Sequence, residues 1–243
     1  MGVVSMNRSM NLSKSFSSSI RDAMPIILAY FPIAITFGVI AKTGGIPWYI
    51  TLLISVLIYA GGAQFMLVSL VLANTAPLSV IITVLLVNLR HFLYGTTLGP
   101  ALSNWAESHK WISAFGLTDE VFAMTSSRSQ LQPPTPLYQI TFGFACYASW
   151  VSGTAVGTGI GSIVPQSLAS LLNFALPALF LALLLLGQRS LPHIVAGLAG
   201  AGVACAATLF HWGSLSIVLG AVLGATVGMG LFMYRNNLKA VES

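Results

Sequence analysis

The chain has 243 residues, 56% of them hydrophobic and 6% charged, and a mean hydropathy of +0.87. A soluble domain carries about 25% charged residues, so a water-soluble fold of this size is excluded because there is too little charge to cover its surface. The formal net charge of +5 is spread over dispersed basic residues without a basic-aromatic patch, which argues against nucleic-acid binding.

Residues 1–24 are polar and rich in Ser and Asn. No short apolar core with a small-residue cleavage site follows, so they are not a signal peptide. They read as a flexible tail ahead of a transmembrane domain over 25–236, and residues 237–243 read as a C-terminal tail. A spanning helix needs about 20 mostly apolar residues. The first candidate covers 25–41 and is interrupted by Pro32. The second covers 48–73 and is broken at 59–64. The third covers 78–102 and carries Asn88, Arg90, His91 and Tyr94 near its middle. A polar stretch, 103–136, reads as cytoplasmic. Four further runs follow: 137–163, 168–186 with Pro177 at its middle, 193–210 and 215–234.

The fold class expected is all-α, a polytopic integral membrane protein with six or seven transmembrane helices, some broken or re-entrant. Arg189, Arg235 and Lys239 placed in the cytoplasm put 103–136 there too. Seven full spans would then leave the basic N-terminal tail outside, against the positive-inside tendency, and one re-entrant segment would restore it. Pro32 and Pro177 are each an aromatic-flanked proline in an apolar helix. Proline-interrupted segments at matching places in two halves point to an inverted repeat and a transporter binding site, although two such prolines also arise without one. Trp48, Trp105, Trp150 and Trp212 fit an aromatic belt.

Three constellations carry chemistry. At 59–64, Tyr-Ala-Gly-Gly-Ala-Gln, adjacent glycines weaken a helix by about 1 kcal/mol each relative to Ala. A joint here would free backbone N–H groups of Gly61 and Gly62 for a carboxylate, with Tyr59 and Gln64 as neutral polar contacts; close helix packing is the alternative. At 88–94, Arg90 sits mid-run, where an unpaired cation costs about 2.5–3.5 kcal/mol. It holds a substrate carboxylate, neutralises an acid, or snorkels to the interface. Arg90 and Tyr94, four apart, share a helix face. His91 is either a proton relay or a structural histidine. At 115–123, FGLTDEVFA sets Asp119 beside Glu120, two of five acids in the chain, between apolar flanks. The pair serves a coupling carboxylate or a counter-ion for Arg90, or else caps an interfacial helix behind Thr118.

Cys146 and Cys205 lie far apart in apolar runs, without metal-ligand or disulfide spacing, and no hydrolase, P-loop or dinucleotide fingerprint occurs. Neither an enzyme, a cofactor nor a metal is expected.

The motifs YAGGAQF, LRHFLYG, FGLTDEVFA and LPALF, in this order, resemble those of the AzlC-type branched-chain amino acid permeases. The resemblance runs from about Met24 to Tyr234, with Gly62 standing where some relatives have Ser. It implies export of valine, leucine and isoleucine, with methionine at the edge of the range. It also implies a small hydrophobic AzlD-type membrane subunit as partner, and a bacterial inner membrane as location. The motif residues it carries over are Tyr59, Gln64, Arg90, His91, Tyr94, Asp119, Glu120 and Pro177. The expected function is therefore proton-coupled export by the large subunit of a two-component permease. A membrane scaffold or sensor, or a small-solute channel, are the alternatives.

Overall fold

The computed structural model describes residues 2–165, 174, 190–210, 212 and 215–241. All regular structure among them is helical. The chain divides into two compact units, Met1–Ala175 and Leu176–Ser243, where the sequence suggested one domain over 25–236.

In the first unit, α1 runs from Gly2 to Thr43 without interruption. The segment expected as a flexible tail is thus helical from Gly2 onward. Some of its polar residues from Ser15 onward bond within the helix. Ser18 and Ser19 donate to the carbonyls of Ser15 and Phe16 within the helix, and Ser19 and Ala23 are fully buried. Pro25 and Pro32 both lie inside α1. Each removes one helical hydrogen bond without ending the helix.

The partner of α1 is α8 (Pro136–Ile160), capped by Thr135, whose hydroxyl accepts from the Tyr138 N–H. The two helices run side by side in the same direction. Asp22 meets Tyr138, Ile27 meets Ser149, and Lys42 meets Gly161. Their backbones approach closely through small residues. A Cβ on Gly153 would lie 2.6 Å from the Phe31 carbonyl oxygen, and one on Gly157 would strike Ile35.

Two short helices, α2 (Trp48–Leu57) and α3 (Gly61–Leu72), form a hairpin. Ile50 and Ile54 of α2 line one groove with Leu67, Val68 and Leu72 of α3 and with the 44–47 turn, so α3 returns the way α2 came. The interrupted run 48–73 is therefore folded back on itself. Next come α4 (Pro77–Asn88), α5 (Arg90–Leu98) and a 3-10 segment (Gly99–Leu102). These are nearly continuous, with a kink at Leu89, whose N–H bonds the Leu86 carbonyl three residues back.

The polar stretch 103–136, placed on the cytoplasmic side from sequence, holds a second hairpin-like pair. It comprises α6 (Glu107–Phe115) and α7 (Asp119–Leu131). α7 lies antiparallel to α1: Glu120 meets Tyr30 and Arg128 meets Asp22. It runs parallel to α5, with Arg90 against Asp119 and Tyr94 on Phe122.

In the second unit, α9 (Leu191–Leu209) and α10 (Leu215–Val241) pack antiparallel, again through small residues. A Cβ on Gly224 would come 2.6 Å from the Ala196 carbonyl oxygen. α10 carries helix through 237–241, where a tail was expected. The run 168–186, with Pro177, lies outside the described residues except for Phe174.

Among the described residues, three helical stretches are long and apolar enough to cross a membrane: Ser15–Thr43, Pro77–Leu102 and Leu191–Leu209. Large apolar side chains such as Leu28, Leu85, Phe92, Phe144 and Leu198 point outward, as a lipid-facing surface requires.

Candidate functional site

Three interruptions of helix come together in the first unit. The first is the joint at 58–60 between α2 and α3. The Ile58 N–H still reaches the Ile54 carbonyl, but the Ala60 N–H turns back to the Ile58 carbonyl at 2.6 Å. Side chains take up the freed carbonyls. The Tyr147 hydroxyl donates to Val56 O at 3.1 Å, and Gln64 Nε2 donates to Ile58 O at 2.5 Å. Gln64 Oε1 accepts from the Trp150 indole N–H at 3.0 Å. The buried Gln64 amide is thus engaged at both ends and braces the joint. On the far side α3 starts at Gly61 behind Ala60, which offers no side-chain cap. The N–H groups of 61–63 precede the first helical bond, Gln64 N–H to Ala60 O. The glycines lie in the first turn of α3, not in the break. Gly61 makes room for a ring, since a Cβ there would lie 2.7 Å from Trp150 Cη2.

The second interruption, at 116–118, joins α6 to α7. Thr118 caps α7 by accepting from the Val121 N–H, and its hydroxyl lies 2.5 Å from the Tyr30 hydroxyl. Asp119 and Glu120 fill the first turn of α7, where acids suit the helix dipole. The third interruption is the α4–α5 kink, which starts α5 at Arg90. Arg90 Nη1 lies 2.5 Å from Asp119 Oδ2, and the Tyr94 hydroxyl donates to the other oxygen of the same carboxylate. Asp119 therefore has a cation and a phenol.

Glu120 is placed differently. It accepts from the Tyr30 hydroxyl at 2.5 Å. Of the described acids, Asp22 pairs with Arg128, Glu107 with Lys110 and Asp119 with Arg90. Glu120 has no ion pair among the described residues.

Aromatic rings close the space between the joints. Tyr59 lies 6.4 Å from Phe115 and 5.0 Å from Tyr147, centroid to centroid, and Phe115 lies 5.5 Å from Tyr147. Tyr30 meets Trp150 edge-on at 5.2 Å, and Tyr94 stacks on Phe122 at 4.3 Å. Among the described residues, the Tyr59 hydroxyl, Asn88 Oδ1 and Arg90 Nε are buried without a hydrogen-bond partner. His91 keeps its Nδ1 3.1 Å from the Asn88 carbonyl and its ring against Tyr94, at the kink rather than beside Glu120.

Of the residues singled out from sequence, Tyr59, Gly61, Gly62, Gln64, Arg90, His91, Asp119 and Glu120 thus lie on the three joints or in the first turns after them, and Tyr94 lies one turn further along α5. Pro32 sits on an exposed face of α1, and Pro177 is outside the described residues. Thr118 was read as the cap it proves to be, whereas Tyr30, Tyr147 and Trp150 were not assigned to the site. Trp150, assigned above to the aromatic belt, is buried at 2% exposure. The available signal was chemical: a Tyr or Trp inside an apolar run needs a partner for its O–H or N–H.

A second polar knot ties the far end of α7. Asp22 Oδ2 accepts from Arg128 Nη1 and from the Tyr138 hydroxyl, each at 2.8 Å, and the Arg128 guanidinium sits 4.0 Å over the Tyr138 ring.

The profile of the family described as AzlC protein matches residues 25–164, which hold all three joints. The chain belongs to the AzlC family. A relative from Archaeoglobus fulgidus, "Uncharacterized membrane protein", is 37% identical over 88% of this chain and 95% of its own. "Inner membrane protein YgaZ" of Escherichia coli is 30% identical over 89% of this chain and 91% of its own. "Branched-chain amino acid transport protein AzlC" of Bacillus subtilis is 23% identical over 88% and 84%. No solved structure matches. Like these relatives, this AzlC-family chain is a multi-pass membrane protein, and the inner membrane expected from sequence is where the name of the E. coli relative puts that protein.

Proposed function

We propose that the chain is the large subunit of a two-component exporter of branched-chain amino acids, working by alternating access with protons as the coupling ion. The observation that carries this reading is the convergence of three helix interruptions on buried Tyr, Arg, Asp and Glu side chains. Broken backbone at membrane depth is tolerated only where it is buried in protein or lines a cavity, and ionisable groups there mark substrate or ion paths. A scaffold or sensor needs neither. The name of the B. subtilis relative supplies the substrate class.

In this reading the α2/α3 and α6/α7 pairs are re-entrant hairpins entering from opposite sides. A long helix followed by a folded-back pair occurs twice, as α1 with α2/α3 and as α4–α5 with α6/α7. That alternation is what an inverted repeat would give, with a binding site at the repeat interface. It differs from the Pro32–Pro177 echo. The uncapped N–H groups at the start of α3 suit the substrate carboxylate, the rings around Tyr59 and Phe115 suit an apolar side chain, and a small AzlD-type membrane subunit completes the exporter.

The test is reconstitution of the chain in proteoliposomes with and without the small subunit, followed by a flux screen of all amino acids under imposed proton and sodium gradients. Saturable flux of valine, leucine and isoleucine, stimulated by trans substrate and by a proton gradient, is expected. Non-saturable flux without counter-transport would make the protein a channel. No flux of any amino acid in either preparation would remove the reading.

A further inference from the structure

We infer that Glu120 is the receptor for a primary ammonium group, and that the same carboxylate takes a proton when the ammonium is absent, so that each occupant excludes the other. The inference rests on the reading of this cluster as the substrate site and assigns the chemistry within it.

The argument starts from the two adjacent acids. Asp119 is bound by Arg90 at 2.5 Å and by Tyr94. Its charge is compensated by Arg90, whose own charge is offset in turn, although the buried Arg90 Nε keeps an unpartnered N–H among the described residues. Glu120 receives one neutral donor, the Tyr30 hydroxyl at 2.5 Å, itself shared with Thr118. The titratable groups that face it are Tyr30 from α1, Tyr59 from the α2–α3 joint, Arg90 and Tyr94 from α5, Cys146 from α8, and Asp119 on its own helix. The two charged members of this set are paired with each other. A buried carboxylate in such surroundings gains by acquiring either a proton or a cation.

Three features choose an ammonium over a metal ion. Among the described residues, no group of three or more His, Cys, Asp or Glu side chains gathers anywhere, whereas hard cations require several oxygen ligands. The Tyr59 hydroxyl is an independent pointer. Tyr59 is 6% exposed, its buried hydroxyl has no hydrogen-bond partner among the described residues, and it lies within electrostatic range of Glu120. An ammonium brings three donors and no acceptor, enough for a carboxylate oxygen and the Tyr59 oxygen together. Finally, Tyr59, Phe115 and Tyr147 present a cluster of rings beside the same joint, and aromatic faces attract ammonium ions.

The exchange balances simply. The ammonium arrives as R–NH3+, the O–H bond of protonated Glu120 breaks, and the proton leaves to water on the side to which the site is open. On the opposite side a proton replaces the departing ammonium. One carboxylate that cannot hold both ties one proton inward to one amino group outward, which is antiport.

The experiment is equilibrium binding to the purified full chain with its small subunit, between about pH 5.5 and 8.5. Three probes are used: leucine; isoamylamine, which has the ammonium without the carboxylate; and 4-methyl-2-oxopentanoate, which lacks the ammonium. For the two ammonium probes, affinity should rise about tenfold per pH unit until the carboxyl is fully ionised, with release of about one proton per ligand. The keto acid should not show this slope. Glu120→Gln should weaken both ammonium probes and abolish the slope, while Glu120→Asp, which keeps the charge, should retain it. Monodispersity on gel filtration controls for misfolding of either variant. The inference is overturned if wild-type binding of isoamylamine is independent of pH or tightens on acidification, or if Glu120→Gln keeps the slope. Isoamylamine binding with this slope but no binding of any branched-chain amino acid would uphold the ammonium receptor and sink the substrate class proposed above.

Discussion

Tyr59, at the tip of one helical hairpin, lies against Phe115 at the tip of the other, with ring centroids 6.4 Å apart and planes inclined by 31°. The two tips share Tyr147 of α8 as a common neighbour. The ring contact between these two tips involves no hydrogen bond, so the rings can part without breaking one.

Joining the tips should therefore stop transport without unfolding the protein. With Cys146 and Cys205 replaced by Ala, Tyr59→Cys and Phe115→Cys bridged by a short bifunctional thiol reagent should lose nearly all flux. Each single variant treated alike should retain most of its own. Unimpaired flux after confirmed bridging would show that the tips do not separate in the cycle.

Breaking the Arg90–Asp119 pair should be costly in assembly as well as in transport. The two side chains are 25% and 21% exposed, so the loss in Arg90→Ala is on the order of 2–4 kcal/mol, at or below the range for a fully buried pair. Arg90→Lys should recover only part, because lysine lacks the planar fork. Thermal unfolding of the detergent-solubilised protein reads this directly. Wild-type stability of Arg90→Ala would mean that the pair is incidental.

Asp22 lies in what reads from sequence as a flexible tail, yet it accepts from both Arg128 and Tyr138. Deleting residues 1–24 should destabilise the first unit more than removing Asp22 alone. Asp22→Asn should cost about 1–2 kcal/mol, discounted because Arg128 is 34% exposed. Equal melting temperatures for the wild type and the 1–24 deletion would disprove the role of this segment.

Gly61→Ala should displace the Trp150 indole and, with it, the brace from Trp150 to Gln64. Overpacking of this kind costs about 1–3 kcal/mol. Intrinsic fluorescence would register a changed Trp150 environment, whereas an unchanged spectrum with lower flux would instead favour a direct backbone contact between Gly61 and substrate.

Much of this arrangement is visible in the sequence. Apolar runs located α1, α4–α5, α8, α9 and α10 because lipid imposes length and composition together. The adjacent glycines located the first joint to within three residues, and the scarcity of charge singled out Arg90, Asp119 and Glu120. The second hairpin was hidden because polarity over 103–136 reads as solvent exposure. In the fold, Val121 and Thr125 are buried, Thr125 donates to Gln139, and Arg128 is neutralised from a distance of 106 positions along the chain. Separations of that kind, like Tyr30 to Glu120 and Gln64 to Trp150, leave no local pattern. Glycines that serve a neighbour's bulk, as Gly61 serves Trp150, look the same in sequence as glycines that break a helix.

The contact between α1 and α8 is made largely of backbone. Where Phe31 and Ile35 face Gly153 and Gly157, few side chains stand between the two helices to change rotamer, so this seam has no alternative packing to adopt. A moving machine needs a stationary part against which displacement is measured, and these two co-directional helices are suited to be it. The tips of the hairpins are held to that stator by single hydrogen bonds and ring edges, such as Tyr30 to Glu120, Tyr147 to Val56 and Tyr59 to Tyr147. Contacts of that sort can be exchanged one at a time, which puts the weakest restraint of the first unit at 58–60 and 116–118, the joints of the proposed site.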